Sequence, residues 1–130
     1  MKKVILVLLL GLITFSAACS APQSTETGVL QGHVSIGPLI PVEQVGVPYI
    51  TPCEVFIVRK ILVYDESGKK LLKTLNIDCD GIYATELAAG KYTIDINKAG
   101  IDSSGQLPAI IEIKFGQTVT LDIDIDTGIR

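Results

Sequence analysis

From Gly28 to Arg130 the chain is written in short runs of period two, most of them closed by a turn that contains glycine. A period of two sends alternate side chains to opposite faces of a strand, so one face is buried and the other is wet. Leu30, Val34 and Ile36 alternate with Gln31, His33 and Ser35 until Gly37-Pro38 stops them. Leu71 to Ile77 and Ile82 to Leu87 are separated by Asp80-Gly81. Tyr92, Ile94 and Ile96 alternate with Thr93, Asp95 and Asn97 after the turn at Ala89-Gly90. Ala109, Ile111, Ile113 and Phe115 alternate with Ile110, Glu112 and Lys114. After Gly116-Gln117, Val119, Leu121, Ile123 and Ile125 alternate with Thr120, Asp122, Asp124 and Asp126. With Val55 to Tyr64, these runs make about seven strands at roughly 8–12-residue spacing, and no helical period competes with them. The pattern predicts an all-β domain over residues 28–130, a single antiparallel seven-stranded β-sandwich.

Two stretches break the rhythm. Leu39 to Pro52 lies among Pro38, Pro41, Pro48 and Pro52, which no regular element accommodates, and Lys98 to Pro108 is a second long loop. Long ordered loops on a rigid scaffold are where contacts are usually made. Val55 to Tyr64 is too apolar for a half-wet strand and is interrupted by Arg59-Lys60, so it either runs centrally or splits at Arg59. A buried arginine needs a carboxylate, and Asp95, Asp102 and Asp126 are the candidates for a structural ion-pair network that also includes Arg130, with a ligand-binding pair as the alternative. Gly128-Ile129-Arg130 reads as a docked end.

The N-terminal segment has a different character. Lys2 and Lys3 precede an apolar stretch, and Ser16-Ala17-Ala18 leads into Cys19. A positive region, an apolar region and small residues make a secretory signal. The cysteine directly after the small residues makes it resemble a bacterial lipoprotein signal, although Ser16 stands where that pattern has leucine. The resemblance implies cleavage after residue 18, acylation of Cys19 and attachment to a membrane through the lipid. A plain secretory signal and an uncleaved anchor are the alternatives; Val4 to Ala18 is about 15 residues against the ~20 that span a bilayer. Residues 19–27, small and polar with Pro22, form the lipidated cysteine and a flexible tether.

Without residues 1–18 the chain keeps nine basic and fourteen acidic side chains, a net charge near −5. No basic patch is available to neutralise phosphates, so nucleic acid is not a partner. There is no tryptophan and few aromatic residues on which to stack sugars or bases. Acylation of Cys19 would leave Cys53 and Cys79 in an oxidising compartment, either bridged or as two buried thiols.

Four stretches carry a wider resemblance: GPLIPVE, RKILVYDESGK, GKYTIDINKAGID and TVTLDIDIDTGIR. Together they resemble a family of bacterial and archaeal surface proteins whose domain is similar to the transthyretin-like (prealbumin-like), or carboxypeptidase regulatory-like, β-sandwich. The resemblance spans Gly28 to Arg130, with GPxxPV and DTGIR its most specific parts. It implies an Ig-like sandwich and a surface location, and no activity. Members often carry a cysteine within GPxxPV where this chain has Ile40, so no disulfide is carried over. The hydroxyisourate hydrolases of this fold use several histidines and a YRGS-like tail, whereas this chain has His33 alone and ends in GIR.

Chemical motifs are sparse. Asn76, Asp78 and Asp80-Gly81 have the spacing of the first half of a calcium loop, but Leu87 occupies the position that needs a bidentate glutamate, so a hairpin turn is the better reading. Asp122, Asp124 and Asp126 fall two apart on one face, either a weak divalent-cation site or a solvated face that protects a sheet edge. His33 lies on the polar side of its strand with no partner beside it. No nucleophile elbow, zinc spacing or phosphate loop is present, and no catalytic residue or cofactor is assigned. The reading that results is a non-enzymatic, lipid-anchored cell-envelope module that binds or braces another envelope protein. The alternative is an envelope protein that carries a small ligand or divalent cation; an envelope hydrolase is a third reading that lacks an acid–base pair.

Overall fold

A computed structural model describes residues 25–41 and 45–130. The signal segment 1–18, Cys19 and the tether as far as residue 24 lie outside the described residues, as do residues 42–44 of the first long loop. Strand β1 spans Thr27–Gly37, helix α1 Cys53–Ile57, β2 Lys60–Tyr64, β3 Leu71–Asn76, β4 Ile82–Ala88, β5 Gly90–Ile96, β6 Ala109–Ile113, β7 Thr118–Thr120 and β8 Ile123–Asp126. They form a two-sheet β-sandwich. One sheet is ordered β4-β1-β7, with β8 also paired to β1, and the other is ordered β3-β2-β5-β6.

The long β1 organises the first sheet. Its inward positions Leu30, Val34 and Ile36 are buried, as the alternation requires. They meet Ile61 and Val63 of β2, Leu75 of β3, Ile94 and Ile96 of β5 and Ile113 of β6 in one aliphatic core. The strand pairs antiparallel with β4 but parallel with β7 and β8, so this sheet is mixed rather than wholly antiparallel. The parallel pairing arises because the chain leaves β6 on the second sheet and crosses at Gly116-Gln117, joining the first sheet in the same direction as β1.

The run Val119 to Asp126 is two strands rather than one, which brings the number of strands to eight. The break has a steric cause. Gly32 faces inward on β1, and a Cβ there would lie 1.9 Å from the Leu121 carbonyl oxygen, so the last run passes directly over the glycine. The Leu121 amide still donates to the Gln31 carbonyl at 2.8 Å, while its own carbonyl accepts from the Tyr83 hydroxyl at 2.5 Å. Beyond the break the Asp122 carboxylate accepts from the His33 amide at 2.9 Å.

Val55 to Tyr64 splits at Arg59. Its first part is not a strand but the short helix α1, a turn that period-two reasoning does not anticipate. Pro52 precedes it in an extended conformation, and the Val55 amide donates to the Pro52 carbonyl at 3.0 Å. Phe56 enters the core from this turn. Phe115 also departs from its expected place: β6 ends at Ile113, the chain turns at Lys114 to Gln117, and Phe115 is exposed.

Candidate functional site

Strand directions sort the connections by end. At the Thr27 end of β1, among the described residues, the connections are tight turns: the Gly116 amide donates to the Thr27 carbonyl and the Ala89 amide to the Glu26 carbonyl. At the Gly37 end, a strand length of about 33 Å away, lie both long loops, α1, the turn at Asp78 to Gly81 and residues 127–130. The Thr127 amide donates to the Gly37 carbonyl at 3.2 Å, and its hydroxyl donates to the Pro38 carbonyl. The GP and DTG segments that carried the sequence resemblance therefore touch.

Three constraints hold this end, the tip of the domain. Cys53 at the start of α1 is joined by a disulfide to Cys79 in the turn after β3, with the two Cα atoms 4.5 Å apart. Gly81 completes that turn with a φ of +79°, and a Cβ there would meet the Val34 carbonyl at 2.6 Å, so both the backbone angle and the space call for glycine. The Asp78 carboxylate accepts from the Asp80 and Ile82 amides, as a turn residue does; Asn76 instead accepts from the Lys60 ammonium. The calcium-like spacing is thus used up as turn chemistry.

The second constraint is the Arg59–Asp102 pair. Arg59 Nε donates to one carboxylate oxygen at 2.7 Å and Nη2 to the other at 3.1 Å. Both side chains are almost wholly buried, 10% and 3% exposed. Arg59 Nη1 donates to the Val55 carbonyl at 2.7 Å, satisfying one of the carbonyls that a short helix leaves unpaired. One guanidinium thus ties α1 to the second long loop. The third constraint is Asp126, which accepts from Arg130 and from the Gly128 amide. Those bonds, Arg130 first, hold the Asp126 pKa down to about 2 and raise that of Arg130. The last residues are docked.

The three alternating aspartates do not converge. Asp122 caps the His33 amide, Asp124 accepts from the Ser35 hydroxyl, and Asp126 is neutralised by Arg130. Among the described residues no three His, Cys, Asp or Glu side chains are arranged to hold a metal ion. Asp124 and Asp126 do border an open cleft of about 490 Å³ that is also lined by Pro38, Ser103 and Ser104. His33 is exposed, as its place on the polar side implies.

Sequence reasoning selected the two long loops by length and missed what they display. Val45, Val47, Tyr49 and Ile50 are each more than half exposed in the first loop, and Ile101 is 73% exposed in the second. Ile57 and Val58, at the end of α1, are also about half exposed. Apolar side chains gathered at one end and turned outward are the mark of a contact surface. The available signal was the concentration of Val, Tyr and Ile in a proline-rich segment with no period.

The chain matches no protein-family model and no curated protein sequence. Solved structures do share its fold. GBS52, the minor pilin of Streptococcus agalactiae, superposes with a TM-score of 0.53 at 17% identity, covering 78% of this chain and 44% of the pilin. The Bacillus anthracis TIE protein superposes with a TM-score of 0.50 at 16% identity, covering 78% of this chain and 16% of its own. This chain therefore spans less than half the length of either protein, and what is shared is the β-sandwich.

Proposed function

We propose that this chain is a non-enzymatic module of the cell envelope, lipid-anchored through Cys19, that contacts another envelope protein through its tip. The observation that carries this reading is the polarity of the domain. The tether joins at Thr27, while the exposed aliphatic residues of both long loops stand at the opposite end of β1. A domain hung by one end presents the other. The Cys53–Cys79 disulfide fits an oxidising compartment and therefore agrees with the secretory character of residues 1–18. The resemblance to transthyretin-like surface proteins and the fold shared with a minor pilin point the same way.

The test is capture of partners by the mature domain from detergent-solubilised envelope of its own host. Val47→Asp, Ile50→Asp and Ile101→Asp place charge on the tip without entering the core. Phe115→Asp does the same at the tether end and serves as the control. Loss of capture in the tip variants with retention in the control supports the reading. Undiminished capture by all three tip variants overturns it.

A further inference from the structure

The outer face of the second sheet carries a feature that the tip does not use. Tyr64 of β2, Thr93 of β5 and Ile110 of β6 stand opposite one another in register, forming one row across three strands. Two residues along β5, and opposite Leu62, comes Asp95. The turn after β2 folds against this row, with the Thr93 hydroxyl donating to the Glu66 carbonyl at 3.1 Å. Pro108 borders the other side. Tyr64, Glu66, Thr93, Asp95, Pro108 and Ile110 together enclose an open groove of about 450 Å³.

Charge within the groove is unevenly satisfied. Glu66 has Lys91 at 3.8 Å. Asp95 accepts only from the backbone amide of its neighbour Ile96, at 2.8 Å, and among the described residues it has no ion pair. A partly buried carboxylate with free lone pairs, flanked by the ring of Tyr64 and the exposed Ile110, matches a group that is cationic at its end and apolar along its stem. An ammonium or guanidinium can meet the carboxylate and the aromatic face together, while its methylenes lie along Ile110 and Pro108. Small-molecule sites bury most of their ligand, whereas this groove covers only one side, so its occupant is borne by a larger body. The acidic balance of the chain, formally −3, favours a basic partner.

We infer that this groove receives a lysine or arginine side chain presented on a partner polypeptide. It uses none of the exposed apolar residues of the tip, although Pro108 closes the second long loop, and the inference does not depend on the lipid anchor. The probe is the blocked peptide acetyl-Ala-Lys-Ala-amide, titrated into the domain (residues 25–130) at low salt while backbone amide NMR shifts are followed. Two comparison probes are the same peptide with its lysine Nε-acetylated, and butylamine.

The lysine peptide should shift Tyr64, Thr93, Asp95 and Ile110 saturably, with a Kd in the millimolar range expected of a single side chain. The acetylated peptide should lose the effect, and butylamine should bind more weakly than the peptide. Asp95→Asn should weaken binding about tenfold or more, as loss of a charged hydrogen bond implies; Asp80→Asn, a carboxylate removed at the tip, should not. Equal shifts with the charged and acetylated peptides, no saturable shift at these four residues, or undiminished binding by folded Asp95→Asn would overturn the inference. Butylamine binding as tightly as the peptide would assign the groove to a free amine and overturn the polypeptide part. If Asp95→Asn does not fold, the comparison of charged and acetylated peptides on the natural chain decides alone.

Discussion

Asp126 fastens the last three residues to the sandwich, and its chemistry gives that contact a pH range. Its folded pKa of about 2 lies below the ordinary 3.8, because Arg130 and the Gly128 amide bond to the ionised form. The contribution is therefore complete above about pH 4 and is lost as pH falls towards 2. NMR titration should show the Gly128 to Arg130 amides and the Asp126 carboxyl moving together in that window, and Arg130→Ala should return the midpoint towards 3.8. Tyr83 gives the opposite sign. Burial first, and then the Asp122 charge, push its hydroxyl well above the ordinary value near 10. The folded chain keeps a proton that the unfolded chain releases, so stability is full below about pH 10 and falls above it. Tyr83→Phe should flatten that alkaline slope in urea unfolding and should cost about 1–3 kcal/mol at neutral pH, since the Leu121 carbonyl is left unpaired. Only part of this was legible in the residues. Arg59 in an apolar run demanded a carboxylate, but three aspartates qualified, and the choice of Asp102 depends on where the second long loop folds. The sequence also left open whether Cys53 and Cys79 meet, because their approach depends on α1, which interrupts the strand pattern.

The elements that follow strict alternation were readable, and the two that do not were hidden. β1 and β5 bury the expected faces because a core on one side and water on the other leave no other register. α1 was missed because five residues are too few to display a helical period, and its stability comes from Phe56, Arg59 and the disulfide instead of from propensity. The break between β7 and β8 was missed because its cause, Gly32, is about ninety residues away along the chain. Gly32→Ala should therefore be disruptive although it adds a single methyl group: the Leu121 carbonyl must move, at a cost of about 1–3 kcal/mol or more. The loss should appear in thermal unfolding, with hydrogen exchange accelerating first at Leu121 to Ile123. The disulfide sets the second expectation at this scale. The bridged cysteines are 26 positions apart, so the chain-entropy relation gives about 3–4 kcal/mol for closing that loop. Reduction, or the double change Cys53→Ser with Cys79→Ser, should lower urea stability by that order. The far-UV spectrum should remain that of a β protein, because the aliphatic core between the sheets is built mainly by strand residues.

At the scale of the whole molecule, the sandwich and the presence of long loops could be read from periodicity and turn residues, but the gathering of those loops at one end could not. Loop length nominates a surface; only strand direction says where it lies. Here direction depends on the parallel pairing of β1 with β7 and β8, which brings residues 127–130 to Gly37 and Pro38. The exposure of Val45, Val47, Tyr49 and Ile50 was signalled only by their concentration in a proline-rich segment, since apolar residues without a period do not announce which way they face. The proposed role, a module hung by its first cysteine with its tip presented outward, makes a definite statement about covalent state. That statement is open to one direct measurement, the intact mass of the protein recovered from membranes of its own host, taken before and after reduction. The expected species begins at Cys19, carries acyl groups on that residue and gains two hydrogens on reduction of Cys53–Cys79. A mass corresponding to the full-length chain beginning at Met1, without lipid and with both thiols free, would contradict it.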